Sequence, residues 1–184
     1  VRIMADDAVV DLARDGIDLA VRGGKGEWPG LEAKLLTHNR LVPMCSPAWR
    51  DRYGPVADAQ ALHALPRLSP DDMWWHEWFA AMGVEADPAD GPPGIALDSQ
   101  VMEGRAAIAG QGVAILNHFL WKAEVETGQL VEAVPSYVRE IASYWLVYPP
   151  HARNTPKIKA FRDWISAEFA AAIAADPDAR FLPR

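Results

Sequence analysis

A chain of 184 residues with a net charge of -7 has room for one sizeable domain or two small lobes. It lacks the cationic excess that a phosphate-neutralising surface needs, so binding of nucleic acid by this chain alone is not expected. Half of the residues are apolar and 23% are charged, which predicts a buried core and excludes global disorder. The single cysteine, Cys45, excludes an internal disulfide and fits a reducing compartment.

The chain opens Val1-Arg2-Ile3-Met4 and turns acidic, without the basic and then apolar segments of a secretory leader. No stretch approaches the roughly 18 uninterrupted apolar residues of a membrane span, so a soluble, cytoplasmic protein with no membrane contact is expected. The start on valine points to further sequence upstream.

Val1–Met4 reads as a short strand, and Asp6–Arg14 as a helix with Ala8, Val9, Leu12 and Ala13 on one stripe. Gly16 suits the stop of that helix, and Asp18–Arg22 is a short buried strand ending in Gly23-Gly24. Leu31–Leu36 and Arg40–Cys45 read as two strands broken by the polar Thr37-His38-Asn39. Ser46-Pro47 supplies an N-cap and an N1 proline, and a second short helix begins at Asp58.

Leu65–Leu68 is a candidate strand. Trp74, Trp75, Trp78, Phe79 and Met82 follow the spacing of a broad helical face, suited to the core or to a subunit contact. Asp87–Pro93 is the clearest loop, and Gly94–Leu97 reads as extended. Asp98-Ser99 caps a helix through Ala109, Gly110-Gln111-Gly112 ends it, and Val113–Leu116 is the next strand. His118–Glu126 is helical, Leu130–Val134 and Ser143–Tyr148 are extended, and Thr155-Pro156 opens a long final helix. Strands alternating with helices predict an α/β fold with parallel pairing.

Reactive motifs are missing from this pattern. Gly23-Gly24-Lys25-Gly26 lacks the Ser or Thr that follows the lysine of a P-loop, and Trp28-Pro29-Gly30 stands where a dinucleotide-binding helix would start. His76-Glu77 has no second histidine four residues after the first, the other histidines are scattered, and Cys45 has no cysteine partner. No Gly-x-Ser-x-Gly elbow exists, and no acid pair has a reason for shifted pKa values. No catalytic residue, metal or cofactor is therefore expected.

Asp15-Gly16-Ile17-Asp18-Leu19-Ala20-Val21-Arg22 and Gly23, then Trp28-Pro29-Gly30-Leu31, resemble LysR-type regulators, nearest the branch that includes the glycine-cleavage activator. Leu41-Val42-Pro43-Met44-Cys45-Ser46-Pro47, Asp98-Ser99, Gly110-Gln111-Gly112-Val113-Ala114-Ile115 and Gly128-Gln129-Leu130-Val131 continue the match in order. Tyr144-Trp145-Leu146-Val147-Tyr148-Pro149 and Pro156-Lys157-Ile158-Lys159-Ala160-Phe161 complete it.

The resemblance implies an effector-binding domain of two Rossmann-like lobes, as in type 2 periplasmic binding proteins, with a cleft and two crossover strands. Lobe I would combine 1–44 with 143–184, and lobe II would be 45–142. A first strand and helix of lobe I, and before them a linker helix and the winged helix-turn-helix that reads DNA, are expected ahead of the segment matching Val1.

A small effector, anionic or amino-acid-like, is expected in the cleft, with assembly into homodimers or tetramers. Ser99 and Gln100, with Asp98, sit at a helix N-terminus suited to an anionic group. Asp6, Arg22, Gly23, Trp28 and Asn117 are the other candidates. Each serves equally well as a cap, a turn or a structural hydrogen bond. A transport solute-binding protein of the same fold is the rival reading, and a small-molecule enzyme on this fold the third.

Overall fold

The computed structural model describes residues 1–4, 10–85, 87, 90–134 and 138–175, the side chains of 138–142 excepted. Two compact units divide the chain, one of 1–39 with 140–184 and one of 40–139. Two strands pass from one unit to the other, β2 (Glu32–Cys45) and β5 (Val138–Tyr148), and they are neighbours in one sheet.

In the first unit β1 (Ala20–Gly24) pairs antiparallel with β5, Ala20 opposite Val147 and Gly24 opposite Ser143. The last helix, α6 (Pro156–Ala174), begins on a proline and lays Ile158 and Ile165 against Leu36, Leu146 and Tyr148. Thr155 stands at the N-cap of α6 and donates its hydroxyl to the Ala152 carbonyl at 2.8 Å rather than accepting from the helix. Asp18 and Lys157 pair at 2.6 Å between exposed side chains, and half-buried Glu32 meets exposed Arg153 at 3.6 Å; solvent-facing pairs of this kind contribute little.

The second unit has β3 (Ala114–Asn117) antiparallel to β2, with Leu41 opposite Asn117, and the short β4 (Val131–Glu132) on the same strand. α1 (Pro47–Tyr53) is capped by Ser46, whose hydroxyl accepts the Trp49 N–H at 3.2 Å, and α2 (Ala59–His63) by Asp58. α3 (Met73–Ala81) buries Trp75, Trp78 and Phe79, so these rings serve the core. α4 (Gln100–Ile108) packs on β3, and α5 (Lys122–Glu126) follows it. Val42, Met44, Leu68, Ala107, Leu116, Trp121 and Leu130 close the core between them.

Several expectations are corrected. The ladders of β1 with β5, β2 with β3, and β2 with β4 all run antiparallel; a single parallel bridge, Arg67 with Val113, remains among the described residues. The two long strands β2 and β5 carry these ladders, and the short strands β1, β3 and β4 lie against them in the opposite direction. Thr37-His38-Asn39 does not break a strand. Thr37 and Asn39 are buried within continuous β2, and the His38 ring meets the Ser143 hydroxyl at 3.0 Å, so their polar groups are accommodated inside the sheet.

Val1–Met4 is irregular and exposed, not a strand. Gly94–Leu97 is irregular too, tied instead by the Ser69 N–H to the Ile95 carbonyl at 2.8 Å. The first predicted helix is described only from Val10 onward, where Asp11–Asp15 forms a turn and Gly16 takes φ 66°. Among the described residues no helix is long and apolar enough to cross a membrane.

Candidate functional site

The start of α4 gathers three of the predicted residues. Ser99 is extended (φ -157°, ψ 152°), and its hydroxyl accepts the Met102 N–H at 3.4 Å while its carbonyl accepts Glu103 N–H at 3.0 Å. The side-chain carbonyl of Gln100 accepts the Asn117 N–H at 3.2 Å, joining the helix start to the end of β3. Asn117 is fully buried, and its Oδ1 accepts the Phe119 N–H at 2.9 Å, fixing the turn that leaves the strand. Asp98 precedes this assembly and is exposed.

The same end of β3 meets a pair that the sequence did not single out. His118 donates its N–H to the Arg40 carbonyl at 3.0 Å, and the buried Arg40 guanidinium lies 3.4 Å from Glu132. A charged residue opening the apolar run Leu41-Val42-Pro43-Met44 was the available signal. Gly104 was also missed: a Cβ there would run into the Trp121 ring, so α4 approaches that indole only through glycine.

Electrostatically, the N–H groups of the first turn of α4 have no partners within the helix and lie at its positive dipole end. This arrangement can hold an anionic group by hydrogen bonds; it contains no nucleophile beside a base. Glu103, the first acid in α4, is buried, and loss of hydration pushes its carboxyl up to about 7, with Asp72 adding like charge and the Ser69 hydroxyl opposing. Burial also pushes the Cys45 thiol up to about 11, which leaves it an unreactive core group. Among the described residues no cluster of three His, Cys, Asp or Glu side chains is placed to hold a metal.

The remaining predicted residues belong to the first unit. Half-buried Arg22 donates to the Val10 carbonyl. Gly23 lies opposite Tyr144 with open space around the position a Cβ would take. Trp28 covers Gly24, where a Cβ would lie 2.9 Å from the ring, and Trp145 covers Gly26 while its indole N–H donates to the Gly24 carbonyl at 3.0 Å. The glycine loop is thus shaped by two indoles, and Trp28 has a structural task there. Asp6 lies outside the described residues.

Two α/β units sharing two long strands, with polar groups collected at a helix start, define a periplasmic-binding-protein-like domain. The chain belongs to the LysR substrate binding domain family, which matches residues 1–170. It is 33% identical over 174 residues to the glycine cleavage system transcriptional activator of Escherichia coli (strain K12), covering 93% of this chain and 56% of that protein. It is 32% identical over 164 residues to the HTH-type transcriptional activator AmpR of Citrobacter koseri, covering 89% and 55%.

The effector domain of the transcriptional regulator AmpR of Pseudomonas aeruginosa superposes with a TM-score of 0.74 at 26% identity, covering 94% of this chain and 78% of that one. The chain therefore spans about half the length of the curated relatives it matches. Those relatives are named as transcriptional activators, which favours regulation over transport.

Proposed function

We propose that this chain is the effector-sensing part of a LysR-type DNA-binding regulator. It acts by binding a small anionic or amino-acid-like molecule and catalyses nothing. The regulator works in the cytoplasm, reaches DNA through a winged helix-turn-helix outside this chain, and assembles as a homodimer or tetramer. Ser99, Gln100 and Asn117, with Asp98, form the contact set, and Arg22, Gly23 and Trp28 are further candidate contacts. Residues 1–39 with 140–184 correspond on this reading to lobe I, and 40–139 to lobe II.

The observation that carries the proposal is the junction at α4, where Gln100 is held to Asn117 beside a Ser99-capped helix start. A ligand that shifts a regulator has to bind its two states unequally, and a helix start tied to a strand end can transmit such a preference.

A thermal-shift screen of the protein against amino acids, small carboxylates and aromatic acids tests it. A ligand present at 100 times its Kd adds about 2.7 kcal/mol of apparent stability, so a true effector raises Tm clearly. The shift should shrink in Ser99→Ala and in Arg22→Ala. A cooperative melt that no compound moves would sink the sensing role and leave oligomer assembly as the better assignment.

A further inference from the structure

Among the described residues Ser69 is the single non-glycine at positive φ, 45°, and it is buried. Glycine takes that left-handed conformation without strain, whereas a Cβ is crowded there, so other interactions have to hold a serine in it. The Ser69 N–H donates to the Ile95 carbonyl at 2.8 Å, and the Ser69 carbonyl accepts the Asp72 N–H at 2.9 Å. Its hydroxyl accepts the Leu97 N–H at 3.1 Å and donates to the Leu97 carbonyl at 3.3 Å.

The two sides of these bonds differ in rigidity. The Leu68 N–H donates to the Val113 carbonyl at 2.8 Å, and the Leu68 carbonyl accepts the indole N–H of buried Trp75 at 2.9 Å. Ser69 is thereby fixed to the core. On the other side Gly94–Leu97 is irregular, with Gly94, Ile95 and Ala96 exposed. A parallel ladder begun by the Ser69 N–H would next pass the Leu97 N–H to the Ser69 carbonyl. The left-handed turn has given that carbonyl to Asp72, and the hydroxyl supplies the acceptor in its place. Leu97 stands two residues before Ser99, the cap of α4.

We propose that Ser69 is a positioning residue of the effector site: its hydroxyl fixes where α4 begins, and with it the placing of Ser99 and Gln100. This rests on α4 carrying the effector contacts, as proposed above. Ser69 itself touches no effector; it acts through Leu97. A residue strained in the backbone and bonded to the approach of a helix start is suited to that task.

Amide hydrogen exchange of the ligand-free protein tests it, in the wild type, Ser69→Gly and Ser69→Ala. In both variants the Leu97 amide should lose at least about tenfold in protection, the equivalent of one lost hydrogen bond. The Met102 amide, held by Ser99, and the Asn117 amide, held by Gln100, should each lose at least about threefold. The Ala133 amide, which donates to the Pro43 carbonyl at 2.8 Å in the same unit, should keep its protection. Losses confined to Leu97 overturn the proposal, because the helix start then holds without the hydroxyl. An equal loss at Ala133 overturns it too, since that is general destabilisation. Losses in Ser69→Gly that Ser69→Ala lacks assign the effect to a freer backbone and overturn it as well.

Should neither variant fold, the Ser69 hydroxyl proton of the wild type decides. Slow exchange with a nuclear Overhauser contact to the Leu97 amide upholds the proposal, and fast exchange ends it. Intact protection in both variants sinks the positioning role even where a compound binds. Protection lost as expected, with an effector screen that finds nothing, sinks the effector reading and leaves the tie to α4 standing.

Discussion

Gly23, in β1, and Gly26, three residues on in the turn that follows, carry opposite constraints. Gly26 has φ 92°, and a Cβ there would lie 2.6 Å from the Trp145 ring, whereas Gly23 has open space and no positive φ. Gly26→Ala should cost at least about 2 kcal/mol, because left-handed strain and a displaced indole add. Gly23→Ala should stay within about 0.5 kcal/mol, as for a substitution that meets nothing. Urea unfolding of the two variants checks the contrast, and equal midpoints would show that Trp145 swings aside freely. The sequence shows a glycine cluster; which glycine is indispensable depends on a tryptophan more than a hundred positions away, and local patterning carries no record of that.

At the scale of elements, α4 and α3 differ in what holds them. α4 exposes Val101 and Met102 and depends on its cap and on Gly104 against Trp121, while α3 is anchored by three buried rings. Trp78→Ala should cost about 3–5 kcal/mol, against under about 0.5 for Trp164→Ala, whose side chain is exposed on α6, both read from chemical denaturation. For α4, Ser99→Ala should lose about 1 kcal/mol of capping. Ser99→Asp preserves the cap but sets a negative charge where an anionic effector would bind. Retained stability with an abolished thermal shift is expected for that variant; an undiminished shift would place the ligand elsewhere.

Caps and helix starts at Ser46, Asp58 and Ser99 were legible because they are local chemistry, side-chain oxygen to nearby N–H. The continuity of β2 through Thr37-His38-Asn39 was not, since those polar groups are accommodated by tertiary partners such as Ser143. The Gln100 to Asn117 bond likewise joins positions named separately in the sequence, and only folding places them together.

For the whole molecule, the two buried acids set how stability depends on pH. Glu103 lies at about 7 in the folded chain against 4.5 in its ordinary state, so between these values the native protein holds a proton that the unfolded chain has released. Stability is then fully present below about 4.5 and falls as pH rises through 7, by on the order of 3 kcal/mol. Cys45, at about 11 against 9.0, adds a second loss with the same sign, confined to pH above 9. Asp15 and Asp163 work the other way, since Arg14 and Lys159 hold them below 3.8 and their contribution disappears only in stronger acid. Because both are exposed on the surface, salt weakens that effect.

Thermal melts from pH 4.5 to 10.5 should therefore show two descending steps. Glu103→Gln should remove the first and leave the second, and Cys45→Ala should do the reverse. A wild-type Tm that rises from pH 5 to 8 would mean that Glu103 is ionised at little cost in the folded chain, and that water reaches a carboxyl which the packing of α4 encloses.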